Sequence, residues 1–409
     1  MRLPIVFILF TVFLDAIGIG LIMPIMPDLL LEVSGEDLGN AAIWGGILTT
    51  SFAVMQFVAG PTIGNLSDRY GRRPVLLVAL AAMCIDYLIM AMAGSIFLLL
   101  VGRIIGGITA ATHSTANAYM ADISPPEKKA ANFGLIGAPF GLGFVVGPIL
   151  GGLIADFGTR APFYAAAVMT AVNLLFGLIV LPETVKKENR RAFSWLRANP
   201  IGAYAALKSM PTVRGLLIIS FLFSISHYVY PAIWSYFAKA CFGWEPTMIG
   251  ISLTIFGLSM AVLQGGLMRP ILARLGERNT VIFAFGAEIV ALLIIGLLKN
   301  EYVALALVPI AAIGSIAVPA IQGIMSRNTP DNQQGELQGI LASTNAIGMG
   351  ISPLVMTGIF AFGTTSSVIY MPGLPFLFAA ALTVLCLYLF VYRTTGKNAV
   401  AGTNQAAKG

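Results

Sequence analysis

Apolar runs of about 20 residues recur from one end of the chain to the other, separated by short polar turns. Twelve can be laid out, near residues 5–27, 41–63, 74–94, 96–120, 131–156, 161–181, 213–237, 246–268, 278–298, 301–325, 336–360 and 371–392. Each is long enough as a helix to cross about 30 Å of hydrocarbon. In lipid, backbone groups must be satisfied within a helix or a closed barrel. The ten-residue alternating strands of a barrel are absent, so the pattern predicts an all-α membrane protein of twelve transmembrane helices. Composition agrees: the chain of 409 residues is 57% hydrophobic and only 10% charged, with mean hydropathy +0.87. A soluble protein of this size needs far more charge to cover its surface.

The longest polar interruption, 182–212, divides the chain into a six-helix half (1–181), a cytoplasmic linker (182–212), a second six-helix half (213–392) and a tail (393–409). Within the linker, 193–207 reads either as a short helix lying on the membrane surface around Trp195 or as unstructured chain. The tail is Gly, Ala, Asn and Lys, a composition that disfavours order.

Charge adds orientation. The net charge is +6, yet the bases are not a nucleic-acid patch. Of 24 Lys and Arg, twenty fall on one side of the predicted membrane, only Arg160, Lys239 and Lys299 on the other, and Arg103 inside a span. This asymmetry places both termini in the cytoplasm. The first external loop carries Asp28, Glu32, Glu36 and Asp37 and no base. The first span is too long for a signal peptide and contains Asp15, so it reads as a retained helix. Cys84, Cys241 and Cys386 lie far apart and support neither a zinc site nor a redox motif. With no Walker-type loop, no HExxH spacing and no nucleophile–base pair, neither an ATP-driven pump nor an enzyme is expected.

Three acids interrupt the apolar runs: Asp15, Asp86 and Glu288. A carboxylate in hydrocarbon costs about 2.5–3.5 kcal/mol on insertion scales. Its usual roles are proton relay, cation binding or pairing with a buried base. Arg103 can either snorkel to the external surface or hold a buried carboxylate.

Gly64-Asn-Leu-Ser-Asp68-Arg69-Tyr-Gly71-Arg72-Arg73 forms the turn between spans two and three, and a weak echo, Arg269 to Arg278 with Gly276, joins spans eight and nine. The first turn is similar to the cytoplasmic loop signature of the major facilitator superfamily. That resemblance implies a conformational latch made of Gly64, Asp68, Arg69, Gly71, Arg72 and Arg73. Span five carries Gly143, Gly147, Pro148, Gly151 and Gly152. So much Gly and Pro weakens a helix unless close packing or bending is needed, and the GPxxGG pattern resembles that of the superfamily's antiporters. Leu14-Asp15-Ala16, the Asp68 loop, Asp86-Tyr87-Leu88, Gly102-Arg103 through Thr109, Gln322 to Met325, Gln334 to Gly339 and Phe242-Gly243-Trp244 narrow the likeness to the tetracycline/proton antiporters.

That resemblance implies proton coupling through Asp15, Asp86, Arg103 and Glu288. It implies a substrate pocket including Gln56, Asp86 and Gln264, to which we add His113, Asn117 and Met260. Met260 stands where that family has a His, and Glu288 where it has an Asp, while His113 and His227 have no family counterpart. A lone intramembrane His is more often a packing residue than a relay, which leaves two alternatives: His113 or His227 takes over part of the missing function, or Asp15 and Asp86 suffice alone. The expectation is a monomeric inner-membrane antiporter with protons, a small-molecule substrate and the lipid bilayer as its partners. It needs no cofactor and no protein-held metal, Mg2+ entering only within a substrate chelate, and it binds no nucleic acid. The alternative is a multidrug or metabolite antiporter of the same fold.

Overall fold

The computed structural model describes residues 3–110, 112–124, 129–185, 190, 213–297, 299–330, 333–365 and 370–395. Among them there is no strand, and ten helices are long and apolar enough to cross a membrane. The first six predicted spans appear as α1 (Leu3–Ile22), α2 (Met26–Ser34), α3 (Leu38–Tyr70), α4 (Arg72–Met92), α5 (Ile96–Thr109), α6 (Thr112–Ile123), α7 (Lys129–Ala155) and α8 (Ala161–Val180). The rest of the chain forms α9 (Arg214–His227), α10 (Val229–Phe242), α11 (Pro246–Ala261), α12 (Met268–Leu297), α13 (Glu301–Ala311), α14 (Ala317–Arg327), α15 (Gln334–Thr365) and α16 (Leu374–Thr395).

Polar residues set the ends of these helices. Asp37 caps α3, accepting from Gly39 N at 2.8 Å and Asn40 N at 3.1 Å. Ser95 caps α5 and Asn300 caps α13 in the same way. Two turns need glycine outright: Gly71, before α4, has φ 107°, and Gly276, inside the long α12 run, has φ 71°. They occupy equivalent places in the two copies of the sequence repeat, so the repeat is one of backbone shape as well as of charge.

Several predicted spans are broken, mostly at proline. Pro231 has no N–H to offer the carbonyl of His227, four residues earlier, and its ring crowds that carbonyl. The seventh span accordingly divides into α9 and α10 at Tyr228. Pro319 deprives the Ser315 carbonyl in the same way, and residues Ala312–Ile316 tighten into a 3-10 turn between α13 and α14. Between α11 and α12, Val262–Leu267 is a π-helical turn.

The chain divides into two compact units. One is Met1–Pro200 with Ser235–Gly257, the other Ile201–Trp234 with Leu258–Gly409. Residues 235–257 join the first unit through Ser235 Oγ donating to Met23 O at 2.8 Å, a Lys239–Asp28 ion pair at 2.5 Å and Thr254 Oγ1 donating to Val145 O at 2.9 Å. Phe7, Ile8, Leu76, Leu80, Tyr119 and Met120 build a core in the first unit; Leu217, Phe223, Phe285, Ile321 and Phe390 are part of one in the second. Large side chains such as Phe97 and Ile179 point outward, 73% and 85% exposed. An apolar exterior of this kind is the surface of a protein solvated by lipid. The proposed surface helix at 193–207 and residues 396–409 of the tail lie outside the described residues.

Candidate functional site

In the first unit, Asp86 on α4 is buried, 2% exposed, and its Oδ2 accepts from Arg103 Nη2 on α5 at 3.0 Å. Of the two fates open to Arg103, the structure takes the pairing. Its guanidinium also lies over the Phe52 ring, 5.4 Å from the centroid. The seat for the carboxylate is made by glycine: a Cβ at Gly106 would come within 3.0 Å of Asp86 Cγ, and one at Gly102 within 3.0 Å of Oδ1. The next residue of that motif, Gly107, serves packing instead, facing Phe52 O on α3. Asp86 Oδ1 has no hydrogen-bond partner among the described residues. Asp15, on α1, is half-buried, and its charge reaches Tyr87, the neighbour of Asp86. Gln56 is half-buried on α3. The side chains of His113 and Asn117 lie outside the described residues.

The glycines of α7 follow a helical period. Gly143, Gly147 and Gly151, four residues apart, share one face. A Cβ at these positions would come within 2.5 Å of Phe13 O, 2.8 Å of Ile17 O and 2.8 Å of Leu21 Cα respectively, so the face is closed against α1. Gly152 points elsewhere, to Pro246 O and Thr247 Cα of α11, each 2.7 Å from a hypothetical Cβ, and Thr247 Oγ1 donates to Gly152 O at 3.1 Å. Pro148 sits between Gly20 on α1 and Gly250 on α11.

At the Gly71 turn, Arg72 Nη1 pairs with Asp68 Oδ1 at 2.7 Å and donates to Ser67 Oγ, while its Nε reaches Asp122 Oδ2 at 3.1 Å. Glu183, just past α8, caps α4: its carboxylate accepts from Arg72 N at 2.9 Å and Arg73 N at 3.3 Å. Four backbone N–H groups are exposed at a helix start, and an anion there is favoured by the helix dipole. Arg73 Nη2 donates to Leu178 O at 3.0 Å, and Arg69 lies over Tyr70. Gly64 faces open space. Asp122 and Glu183 are functional candidates that the sequence reading missed. The available signal was two acids at the ends of spans four and six, on the same side as the Arg-rich turn.

In the second unit, Glu288 on α12 is fully buried, and its Oε1 lies 3.0 Å from His227 Nδ1 at the end of α9. Gly314, in the 3-10 turn, provides its seat, since a Cβ there would come within 2.5 Å of Glu288 Cδ. Gln264, in the π-helical turn, donates from Nε2 to Ser315 O at a long 3.4 Å. That is the carbonyl Pro319 left without a helical donor. Met260, half-buried, lies one turn before Gln264. Among the described residues no group of three or more His, Cys, Asp or Glu gathers as a metal site.

A family model described as Major Facilitator Superfamily matches residues 8–236 and 216–407. The chain belongs to the major facilitator superfamily. It is therefore a multi-pass membrane transporter, not an enzyme. Within the superfamily it is 39% identical to the class C tetracycline resistance protein of Escherichia coli over 384 residues, 93% of this chain and 94% of that one. It is 34% identical to the class H tetracycline resistance protein of Pasteurella multocida over 409 residues, 98% and 100% of the two chains. The solved nucleoside transporter NupG has the same fold, with TM-score 0.79 at 15% identity, covering 97% of this chain and 100% of that one.

Proposed function

We propose that this transporter is a proton-driven antiporter exporting tetracycline as a divalent-metal chelate, with Mg2+ entering as part of the substrate. The observation that carries the reading is the end-to-end likeness to tetracycline resistance proteins, 39% and 34% identical over 93% and 98% of the chain. Twelve spans are proposed by dividing the Pro246–Leu297 run at Gly276 and joining α5 with α6 as one span. They form two six-helix halves, 1–181 and 213–392, joined by a cytoplasmic linker, and one chain works alone in the inner membrane with both termini in the cytoplasm. The Lys and Arg asymmetry supports that orientation.

Asp15 and Asp86 would hold either a proton or the cationic chelate. Proton uptake from outside discharges a carboxylate and weakens the chelate's hold; proton loss to the cytoplasm restores it. Arg103 stabilises ionised Asp86 whenever the proton is gone. Alternating exposure of a midplane site, with the Asp68 turn latching one state, completes the cycle. Gln56, Gln264, Met260, His113 and Asn117 are proposed to line the pocket. Met260 favours a second reading, since an apolar thioether suits a flat amphipathic drug carried without metal.

The test is tetracycline uptake with Mg2+ into everted vesicles under an imposed proton gradient, beside Asp15→Asn. Gradient-dependent uptake lost in the variant is expected. Absence of uptake, with proton movement triggered instead by another amphipathic compound, would remove tetracycline as the substrate.

A further inference from the structure

The second unit contains a titratable pair of which only the acid, Glu288, carries an expected task in proton coupling, while His227 has none. Glu288 is fully buried, yet only one of its oxygens is bonded. Oε1 meets His227 Nδ1 at 3.0 Å, while Oε2, like the buried Ser315 Oγ, has no hydrogen-bond partner among the described residues. Both sides of the site are proline-loosened helix. The α9–α10 break falls next to His227, and the 3-10 turn carries Gly314 and Ser315. Irregular backbone at membrane depth is tolerated where it lines a cavity or an ion site.

We propose that His227 and Glu288 act as one proton-carrying site of the transport cycle, with His227 as the exchangeable partner of the acid. The proposal rests on the proton-driven reading above.

The two acid sites differ in the charge their bases can carry. A guanidinium stays protonated at any working pH. The Asp86–Arg103 pair is therefore neutral only when Asp86 is ionised. An imidazole is different. One proton shared between His227 and Glu288 gives a neutral site in either arrangement, as imidazolium with carboxylate or as imidazole with carboxylic acid. Loss of that proton to water breaks one N–H or O–H bond, leaves the electron pair on the protein and creates a single buried negative charge.

Among the described residues, the groups identified around Glu288 include no further base to neutralise that charge. Tyr230 on α10 and Cys386 on α16 lie close enough to feel the charge of Glu288. Gly314 faces it from the 3-10 turn. Phe223 stacks on the His227 ring at 5.6 Å and meets the Phe285 ring at 4.8 Å. No Lys or Arg is among these groups. A buried, uncompensated carboxylate is costly, so the proton leaves only as a cation or a conformational change compensates for it. That requirement is what couples a proton to transport.

The chain has two histidines, so 15N-histidine labelling gives two ring environments to follow. Purified protein and its E288Q variant would be titrated between about pH 5 and 8, with H113Q assigning the signals. The expected result is a protonation step at His227 whose midpoint falls by about one pH unit or more in E288Q. A His227 ring that stays neutral throughout, or titrates identically in E288Q, overturns the pair.

In reconstituted vesicles, H227Q is expected to keep tetracycline exchange in the absence of a gradient. Its gradient-driven accumulation should fall to the level seen without a gradient. Accumulation at the wild-type level with the wild-type pH profile overturns the proposal. If wild-type vesicles take up no tetracycline, the substrate reading falls, and the histidine titration alone decides the pair; it also decides if H227Q loses exchange as well.

Discussion

Removing Arg103 tests the first-unit site most directly. In Arg103→Leu, Asp86 keeps its glycine seat and its burial but loses the hydrogen bond and the countercharge that, among the described residues, Arg103 alone supplies. Breaking a buried pair from one side costs about 3–5 kcal/mol, because the remaining charge is left unpaired. The contact with Phe52 at 5.4 Å is the smaller contribution, about 0.5–2 kcal/mol, and it survives when Asp86 alone is replaced. A double-mutant cycle separates the two. The variants D86N, R103L and D86N/R103L would be unfolded by titrating SDS into mixed micelles. Each single change should destabilise strongly, and the double variant should recover part of the loss, giving a coupling of about 1.5–3 kcal/mol. The R103L deficit should also shrink in acid, since a protonated Asp86 has no charge left to leave unpaired. Effects that add to within about 0.5 kcal/mol would refute the argument, showing that the 3.0 Å contact carries no net energy.

Two other perturbations follow from the same geometry. Glu183→Gln removes the anion from the start of α4 and should cost about 1–2 kcal/mol in the same unfolding assay, whereas a loss under a few tenths would mean that the cap is unimportant. Gly151→Val drives a branched side chain into the Leu21 backbone of α1 and should cost about 1–3 kcal/mol or more. The control is Leu153→Val on the exposed side of α7; equal stability of the two variants would show that the glycine face is not closed.

Most of the helices were legible because lipid leaves the backbone so few solutions: a 20-residue apolar run with no strand alternation has to be a helix. The breaks within them were harder to read. Residues 213–237 look like one span in the hydrophobic pattern, yet Pro231 divides it, and the helical chain continues to Phe242. Hydropathy averages over a window and cannot register one missing N–H. The turn of Asp68 and Gly71 was visible as a motif. Its capping acid was not, because Glu183 lies 111 positions from Arg72 and polar turn residues carry no period. The Asp86–Arg103 pair stood as one of two options for Arg103. Both members of the Glu288 pair had been singled out, the acid as a charge within a span and His227 as a histidine without a family counterpart, but not as partners, since they lie 61 positions apart on different helices. A proline four residues after an intramembrane histidine was the signal that could have marked the site.

The two acid sites share one construction. Each places a carboxylate where a glycine on a neighbouring helical segment leaves room, Gly106 for Asp86 and Gly314 for Glu288, and each gives it one base at 3.0 Å. Glycine is needed because an ordinary side chain would fill the space the carboxylate occupies. The base is needed because a lone charge at that depth is too costly to keep. What differs is the base. Arg103 can hold a negative charge but cannot release a proton, so of the Asp86–Arg103 pair only the acid can titrate. His227 can do both, so in the second unit acid and base can exchange a single proton without changing the net charge of the site. A chain that only needed to neutralise buried acids could have used the same base twice. The choice of imidazole beside Glu288 therefore points to proton exchange there, rather than to packing alone.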